Sequence, residues 1–177
     1  MIEIIRINSF HVHYQFMEEL MKTAFPLQER RDSLQQRELV NNHSSFYNNL
    51  ILNDHTPIGL LTYWDLKTFI FIEHFAIDDH YRNQGYGSKV LSILLNQLKC
   101  PIILEAEKPT DELSSRRINF YKRKGFTLQD IPYLQPPYRE DDDWYPLQLM
   151  SYGITNIEKE YTTIRDSIYR EVYQTSI

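Results

Sequence analysis

Residues Phe69 to Ser88 constrain this chain more than any other stretch, because an apolar strand runs there into a glycine-bearing turn and then a helix. The strand, Phe69-Ile70-Phe71-Ile72-Glu73-His74-Phe75-Ala76-Ile77, is rich in β-branched and aromatic residues. The helix follows from Val90, Leu91, Leu94, Leu95 and Leu98, which recur on one face at helical spacing. Between them lies Asp78-Asp79-His80-Tyr81-Arg82-Asn83-Gln84-Gly85-Tyr86-Gly87-Ser88. A turn of this kind at a helix start presents N–H groups that have no partner inside the helix, and the positive end of the helix dipole adds to them. Glycines there let an anion approach the main chain closely. The stretch predicts a phosphate-binding site.

Three glycine-rich designs compete for it. A Walker loop reads Gly-x-x-x-x-Gly-Lys-Ser/Thr, whereas here one residue separates the glycines and Ser88-Lys89 comes in the reverse order. A dinucleotide fingerprint would read Gly85-x-Gly87-x-x-Val90, with Glu105 near the spacing of the ribose-binding acid. That fingerprint sets its first glycine tightly at the strand end, but Asp78 to Gln84 intervene. The third design fits. Arg82-x-x-Gly85-x-Gly87 resembles the acyl-coenzyme A pyrophosphate loop of the GNAT N-acetyltransferase superfamily. Glu73-His74-Phe75-Ala76-Ile77-Asp78 is similar to that family's fourth strand, and Asn119-Phe120-Tyr121-Lys122-Arg123-Lys124-Gly125-Phe126 to its helix ending in Phe-Tyr-x-x-x-Gly-Phe.

The rest of the chain supports that layout. Residues 2–7 read as a starting strand, and Phe10, Tyr14, Met17, Leu20, Met21 and Ala24 mark a helix over 10–25 that Pro26 breaks. A more polar helix over 29–41 carries Arg30, Arg31, Asp32, Arg37 and Glu38 as a solvated face. Phe46–Asn53 and Thr56–Leu66 read as strands joined by a hairpin turn. Pro101–Ala106 is a short buried strand, parallel to 69–77 because a helix crosses between them. Thr110 can cap the next helix, which ends in Lys122, Arg123 and Lys124 before Gly125. Phe126–Ile131 and Trp144–Tyr152 form a final hairpin, and 155–175 a helical tail. The resemblance implies a GNAT-like α/β (α+β) fold. Its central sheet is mixed and mostly antiparallel, with a central parallel strand pair and helices on both faces. Its domain would span 1–152, with 153–177 a helical extension on or beside it.

Composition narrows the function. A formal net charge of −5 argues against a general nucleic-acid binder, whose phosphate contacts need a basic surface. No apolar run approaches the length of a membrane span, and the N-terminus lacks a signal segment. A single cysteine, Cys100, cannot form an internal disulfide. These features predict a cytoplasmic protein without a membrane partner. Six scattered histidines show no metal-ligand spacing, so no metal is expected.

The resemblance implies acetyl transfer from acetyl-coenzyme A to a primary amine of a small molecule or peptide, by direct attack in a ternary complex. Main-chain groups of Phe75, Ala76 and Ile77 would pair with the pantetheine arm. Arg82, Asn83, Gln84, Gly85, Tyr86, Gly87 and Ser88 would hold the pyrophosphate. Tyr121 stands where the family places its general acid and would also contact the thiol. A phenol of pKa about 10 suits a departing thiolate. Ser114 stands where family helices often carry an asparagine that contacts coenzyme A. Glu73, on one strand face with Phe75, and Glu105, at the end of the neighbouring strand, are rival bases, the bland reading of each being an ordinary carboxylate paired with an arginine or solvated. Glu140-Asp141-Asp142-Asp143 reads as a solvated loop or as an acidic lip drawing a cationic amine towards Tyr133, Tyr138 and Trp144. The final hairpin and the tail are the surfaces a homodimer would use. The alternative to catalysis is a GNAT-shaped module that holds coenzyme A without turnover; a Rossmann-type protein is the weaker third reading.

Overall fold

The computed structural model describes residues 1–139, 141–154 and 157–175. The fold is mixed α/β, with a mostly antiparallel sheet and one parallel strand pair. The chain divides into two compact units, Met1–Asp65 with Ile72–Lys99, and Leu66–Phe71 with Cys100–Ile177.

In the first unit the strands run in the order β1 (Ile2–Arg6), β2 (Phe46–Asn53), β3 (Thr56–Asp65), then β4 (Ile70–Ile77), which contributes all but its first two residues here. β2 and β3 form the hairpin the sequence predicts, closing at Asn53↔Thr56. Asp54 and His55 at its tip take φ of 47° and 66°. Positive φ at both central residues gives the turn whose twist matches the strands. Gly59 is required on β3, since a Cβ there would lie 2.5 Å from the Ala76 carbonyl oxygen of β4.

Three helices complete this unit: α1 (Tyr14–Ala24), α2 (Ser33–Asn42) and α3 (Tyr86–Gln97). α1 buries Met17, Leu20 and Met21 against Leu50, Leu52, Leu60 and Ala76, which fixes the helix on the sheet. α2 begins later than the pattern of charges suggests. Asp32 caps it by accepting from the Leu34 and Gln35 N–H groups, and a 3-10 turn, Leu27–Glu29, precedes it.

In the second unit β5 (Ile102–Ala106) runs parallel to the head of β4, where the Ile70 N–H donates to the Pro101 carbonyl at 2.9 Å. β8 (Tyr145–Tyr152) pairs antiparallel with β5, with β6 (Thr127–Leu128) and with β7 (Tyr133–Gln135). The expected final hairpin is thus present between β6 and β8, but the three-residue β7 is an addition. α4 (Glu112–Lys122) is capped by Asp111 rather than Thr110. The Asp111 carboxylate accepts the Ser114 N–H at 2.7 Å while Ser114 Oγ accepts the Asp111 N–H at 3.2 Å, a reciprocal box that Thr110 cannot make. α5 (Ile157–Glu171) buries Ile157, Ile164, Ile168 and Tyr169.

Candidate functional site

The turn between β4 and α3 is built by its own polar side chains. Asp78 accepts the His80 N–H at 3.0 Å and opens a 3-10 turn, Asp79–Tyr81. Arg82 Nε donates to the Ile77 carbonyl at 2.9 Å, and its Nη1 meets Asp79 at 2.6 Å. Gln84 Nε2 reaches back to the His80 carbonyl at 3.0 Å. Asn83 and Gly85 both take left-handed backbone, φ 61° and 79°, which turns the chain into α3. The helix starts with the Lys89 N–H donating to the Gly85 carbonyl. No acceptor among the described residues takes the N–H groups of Gly85, Tyr86, Gly87 or Ser88. The first turn carries no acidic residue, and Gly85 has nothing within 4 Å of where a Cβ would stand. The result is an open fan of donors at the positive end of a twelve-residue helix. Arg82 spends two of its nitrogens inside the loop, so its charge is shared with Asp79.

On β4, Ala76 is buried and Phe75 and Ile77 are half-buried. Glu73 is buried too, its side chain only 1% exposed. Arg31 Nη1 donates to Glu73 Oε1 at 2.6 Å and the Trp64 indole N–H to Oε2 at 3.2 Å. Arg31, placed by the sequence on a solvated helix face, is itself only 10% exposed, in the extended link before α2. Beside it, His74 Nε2 lies 2.8 Å from the Glu29 carbonyl, which can only accept. Burial pushes the His74 pKa below its ordinary value, against the pull of Glu73. A neutral ring with its proton on Nε2 leaves Nδ1 to accept from the Thr62 hydroxyl at 3.2 Å. The 3.8 Å approach of Nδ1 to Glu73 is therefore no ion pair.

In the second unit Tyr121 lies on α4, 7% exposed, between the rings of Phe120 and Phe126. Its hydroxyl has no hydrogen-bond partner among the described residues. Burial pushes its pKa up to about 12, with Arg117 pulling weakly the other way. The phenol therefore keeps its proton across the neutral range. The Ser114 hydroxyl is engaged with Asp111, 2.8 Å from its carboxylate. Glu105 accepts from the Tyr133 phenol on Oε1 and from the Tyr173 phenol on Oε2 at 2.6 Å. Glu107 instead pairs with Arg117 at 2.7 Å.

The aromatic residues read as walls of an amine site pack on α5 and the residues that follow it. Tyr133 and Trp144 meet Tyr169 at ring-centre distances of 5.8 and 5.4 Å, and Tyr138 meets Tyr173 at 5.0 Å. Of the acidic run, Asp142 pairs with Arg139 at 3.3 Å, Asp141 and Asp143 are exposed, and Glu140 lies outside the described residues. Among the described residues no group of three or more His, Cys, Asp or Glu is placed to hold a metal, and no helix is long and apolar enough to cross a membrane. The sequence places Arg31 on a solvated face, not as the arginine that holds Glu73, and marks neither Trp64 nor Tyr173 as a carboxylate partner. Their partners lie 42, 9 and 68 residues away, and nothing local marks an arginine or tyrosine as the partner of a distant carboxylate.

The sequence model of the Acetyltransferase (GNAT) family matches residues 13–126, well over half of the chain. The chain belongs to the GNAT acetyltransferase family. A Bacteroides thetaiotaomicron GNAT-family protein, whose acetyltransferase name is provisional, is 44% identical, with a TM-score of 0.94 over 98% of this chain and 99% of that one. YjbC of Bacillus subtilis (strain 168), also provisionally named an acetyltransferase, is 29% identical over 119 residues. That match spans 65% of this chain and 59% of YjbC. Arabidopsis thaliana Naa50, solved with the bisubstrate analogue CoA-Ac-MVNAL, shares the GNAT fold at a TM-score of 0.61 and 16% identity, over 86% of this chain and 99% of its own.

Proposed function

We propose that this GNAT chain transfers an acetyl group from acetyl-coenzyme A to a primary amine of a small molecule or peptide, by direct attack in a ternary complex. The observation that carries the reading is the fan of four unaccepted N–H groups at Gly85–Ser88, at the start of α3. A diphosphate offers several anionic oxygens to such a fan and gains from the helix dipole. Arg82, Asn83 and Gln84 complete the cradle, and Phe75, Ala76 and Ile77 offer main-chain groups to the pantetheine arm. Naa50 holds the bisubstrate analogue CoA-Ac-MVNAL, and a coenzyme A moiety fits the chemistry of this loop.

The thioester carbon is attacked by the neutral amine, the C–S bond breaks, and the thiolate must be protonated. Tyr121 is the proposed donor, since it stays protonated across the neutral range and its hydroxyl has no competing partner among the described residues. Burial that raises its pKa to about 12 makes it a weaker acid than the free phenol of about 10, so the match to the thiolate is poorer than the sequence suggests. Glu73 is the proposed acceptor of the amine proton. Glu105 is the rival, less favoured because two phenols already grip it. Ser114, with its hydroxyl in the α4 cap, would meet coenzyme A through that cap. A cytoplasmic setting, no resident metal, and a homodimer through β6, β8 and α5 belong to the same proposal.

The test combines calorimetry with coenzyme A and thiol-release screening of amines and peptides with acetyl-coenzyme A. Saturable coenzyme A binding together with amine-dependent release is the expected result. One observation favours a second reading, a coenzyme A-binding module without turnover: both candidate bases are already engaged, Glu73 by Arg31 and Trp64, Glu105 by Tyr133 and Tyr173. Binding without release across the whole panel would select it.

A further inference from the structure

Arg31 grips Glu73, yet a second carboxylate with an open oxygen lines the same pocket as Arg31. That pocket, in the first unit, is a narrow cleft with a cavity volume of about 20 Å³, and Glu18, Ser33 and Gln36 also line it. Glu18 Oε2 takes Arg37 Nη2 at 2.8 Å. Its Oε1 is buried and accepts no hydrogen bond, and the buried Gln36 Nε2 donates none. Arg37 first, and the Ser33 hydroxyl less, hold the Glu18 pKa below the usual carboxylate range, although Ser33 stands outside hydrogen-bonding geometry to Oε1. A buried, charged oxygen without a donor is a seat prepared for a cation.

We propose that Arg31 is a two-seat latch: the primary ammonium of the acceptor takes over Glu73, and the Arg31 guanidinium moves to Glu18 in the adjoining pocket. This inference rests on the reading of Glu73 as the group that meets the acceptor amine. The exchange conserves charge, because one cation leaves Glu73 as another arrives and no buried carboxylate is left bare. It selects acceptors that arrive as ammonium ions, since a neutral group cannot compensate Glu73 once the guanidinium has gone. The moving part is short. Arg31 sits between two residues of extended backbone, Arg30 and Asp32, joining the 3-10 turn to α2. His74, neutral beside Glu73, does not compete for the charge, and Lys22, Arg30 and Arg37 are the other cations around the two seats.

The test reads amine binding and not acetyl transfer. In the full chain carrying Trp144→Phe, emission reports Trp64, whose indole N–H rests on Glu73. The protein is titrated with n-butylammonium chloride, with sodium chloride and n-butanol as controls at matched ionic strength. A saturable emission change with butylammonium alone is expected, and Glu73→Gln should remove it. Arg31→Ala should bind butylammonium about tenfold more tightly or better, because the latched state no longer competes. Glu18→Gln, which weakens the second seat, should bind it less tightly than wild type. If Arg31→Ala does not fold, Arg31→Lys, shorter and without the guanidinium fork, replaces it and should also bind more tightly. A wild-type emission that ignores butylammonium, a response that survives Glu73→Gln, or Arg31 variants that bind no more tightly would overturn the latch. Absent coenzyme A binding or thiol release, with these titrations as expected, would count against the proposed function alone.

Discussion

Tyr173 donates its phenol to Glu105 Oε2 at 2.6 Å, joining the segment after α5 to the end of β5 across 68 residues of chain. Tyr133, on β7, takes the other oxygen. Glu105 is thereby held by two elements that the glycine turn before α3 does not include. A hydrogen bond to a charged group contributes roughly 1.5–3 kcal/mol. Tyr173→Phe should lower the urea unfolding free energy by about that amount without changing the denaturant slope. An unshifted midpoint would mean that the contact contributes nothing to the fold.

Alkaline pH should destabilise the protein in a defined window. Burial pushes the phenols of Tyr14, Tyr121 and Tyr169 up to about 12, and that of Tyr133 well above its ordinary value, where the Glu105 carboxylate adds to the effect. An unfolded tyrosine titrates at about 10. The folded state thus holds these protons more tightly. For Tyr14, Tyr121 and Tyr169 that advantage is complete below about pH 10 and is lost as pH rises through about 12. Denaturant melts taken from pH 8 upward should show a flat stretch and then a decline that is shallower in Tyr121→Phe.

Gly85 and Gly87 should fail differently. Gly85→Ala meets no neighbouring atom but must hold φ near 79°, a strain of about 1–2 kcal/mol for a residue with a Cβ. Gly87→Glu brings a carboxylate and bulk into the donor fan. Calorimetry should find the folded Gly87→Glu protein binding coenzyme A at least about tenfold more weakly, the anion now being opposed by a like charge. Equal affinity in the two proteins would remove the loop from the ligand site.

The Arg31–Glu73 pair is buried on both sides, so each single truncation should be costly. Arg31→Met or Glu73→Leu alone should lose roughly 3–5 kcal/mol by stranding a charge, and the double variant should recover much of it. A double-mutant cycle in urea measures the coupling. Additive losses would show that the pair does not act as a unit.

Tyr121→Phe should lower kcat for thiol release by about a hundredfold while leaving the KM for acetyl-coenzyme A nearly unchanged, the pattern of a group that acts in the transition state. Because burial keeps this phenol protonated, the wild-type rate should show no descending limb from Tyr121 below about pH 10. Unchanged kcat in the variant would make the residue a packing tyrosine.

Much of the fold was legible from short-range pattern. The hairpin Phe46–Asn53 to Thr56–Asp65 was recognisable from two apolar runs and a turn-forming joint, and α3 from one apolar face behind a glycine turn. Errors fell where two local signals compete. Thr110 and Asp111 are both capping residues, and only Ser114, three residues past Asp111, decides between them. Charged residues near 29–41 suggested one helix, while Asp32, with its two accepted N–H groups, delays the start and leaves Arg31 outside it. Three-residue β7 has too little pattern to be read and exists because β8 offers it a ladder.

By itself the sequence determined the glycine turn before α3 and the helix that follows, because backbone conformation and helix-end donors arise from residues a few positions apart. Family membership rests on the match over residues 13–126, of which that turn is one part. Only the tertiary structure decided the state of the carboxylates: Glu73 beneath Arg31 and Trp64, Glu105 between Tyr133 and Tyr173. Those contacts depend on which distant side chains burial brings together, and a charge buried in a protein takes its character from its partner and not from its place in the chain.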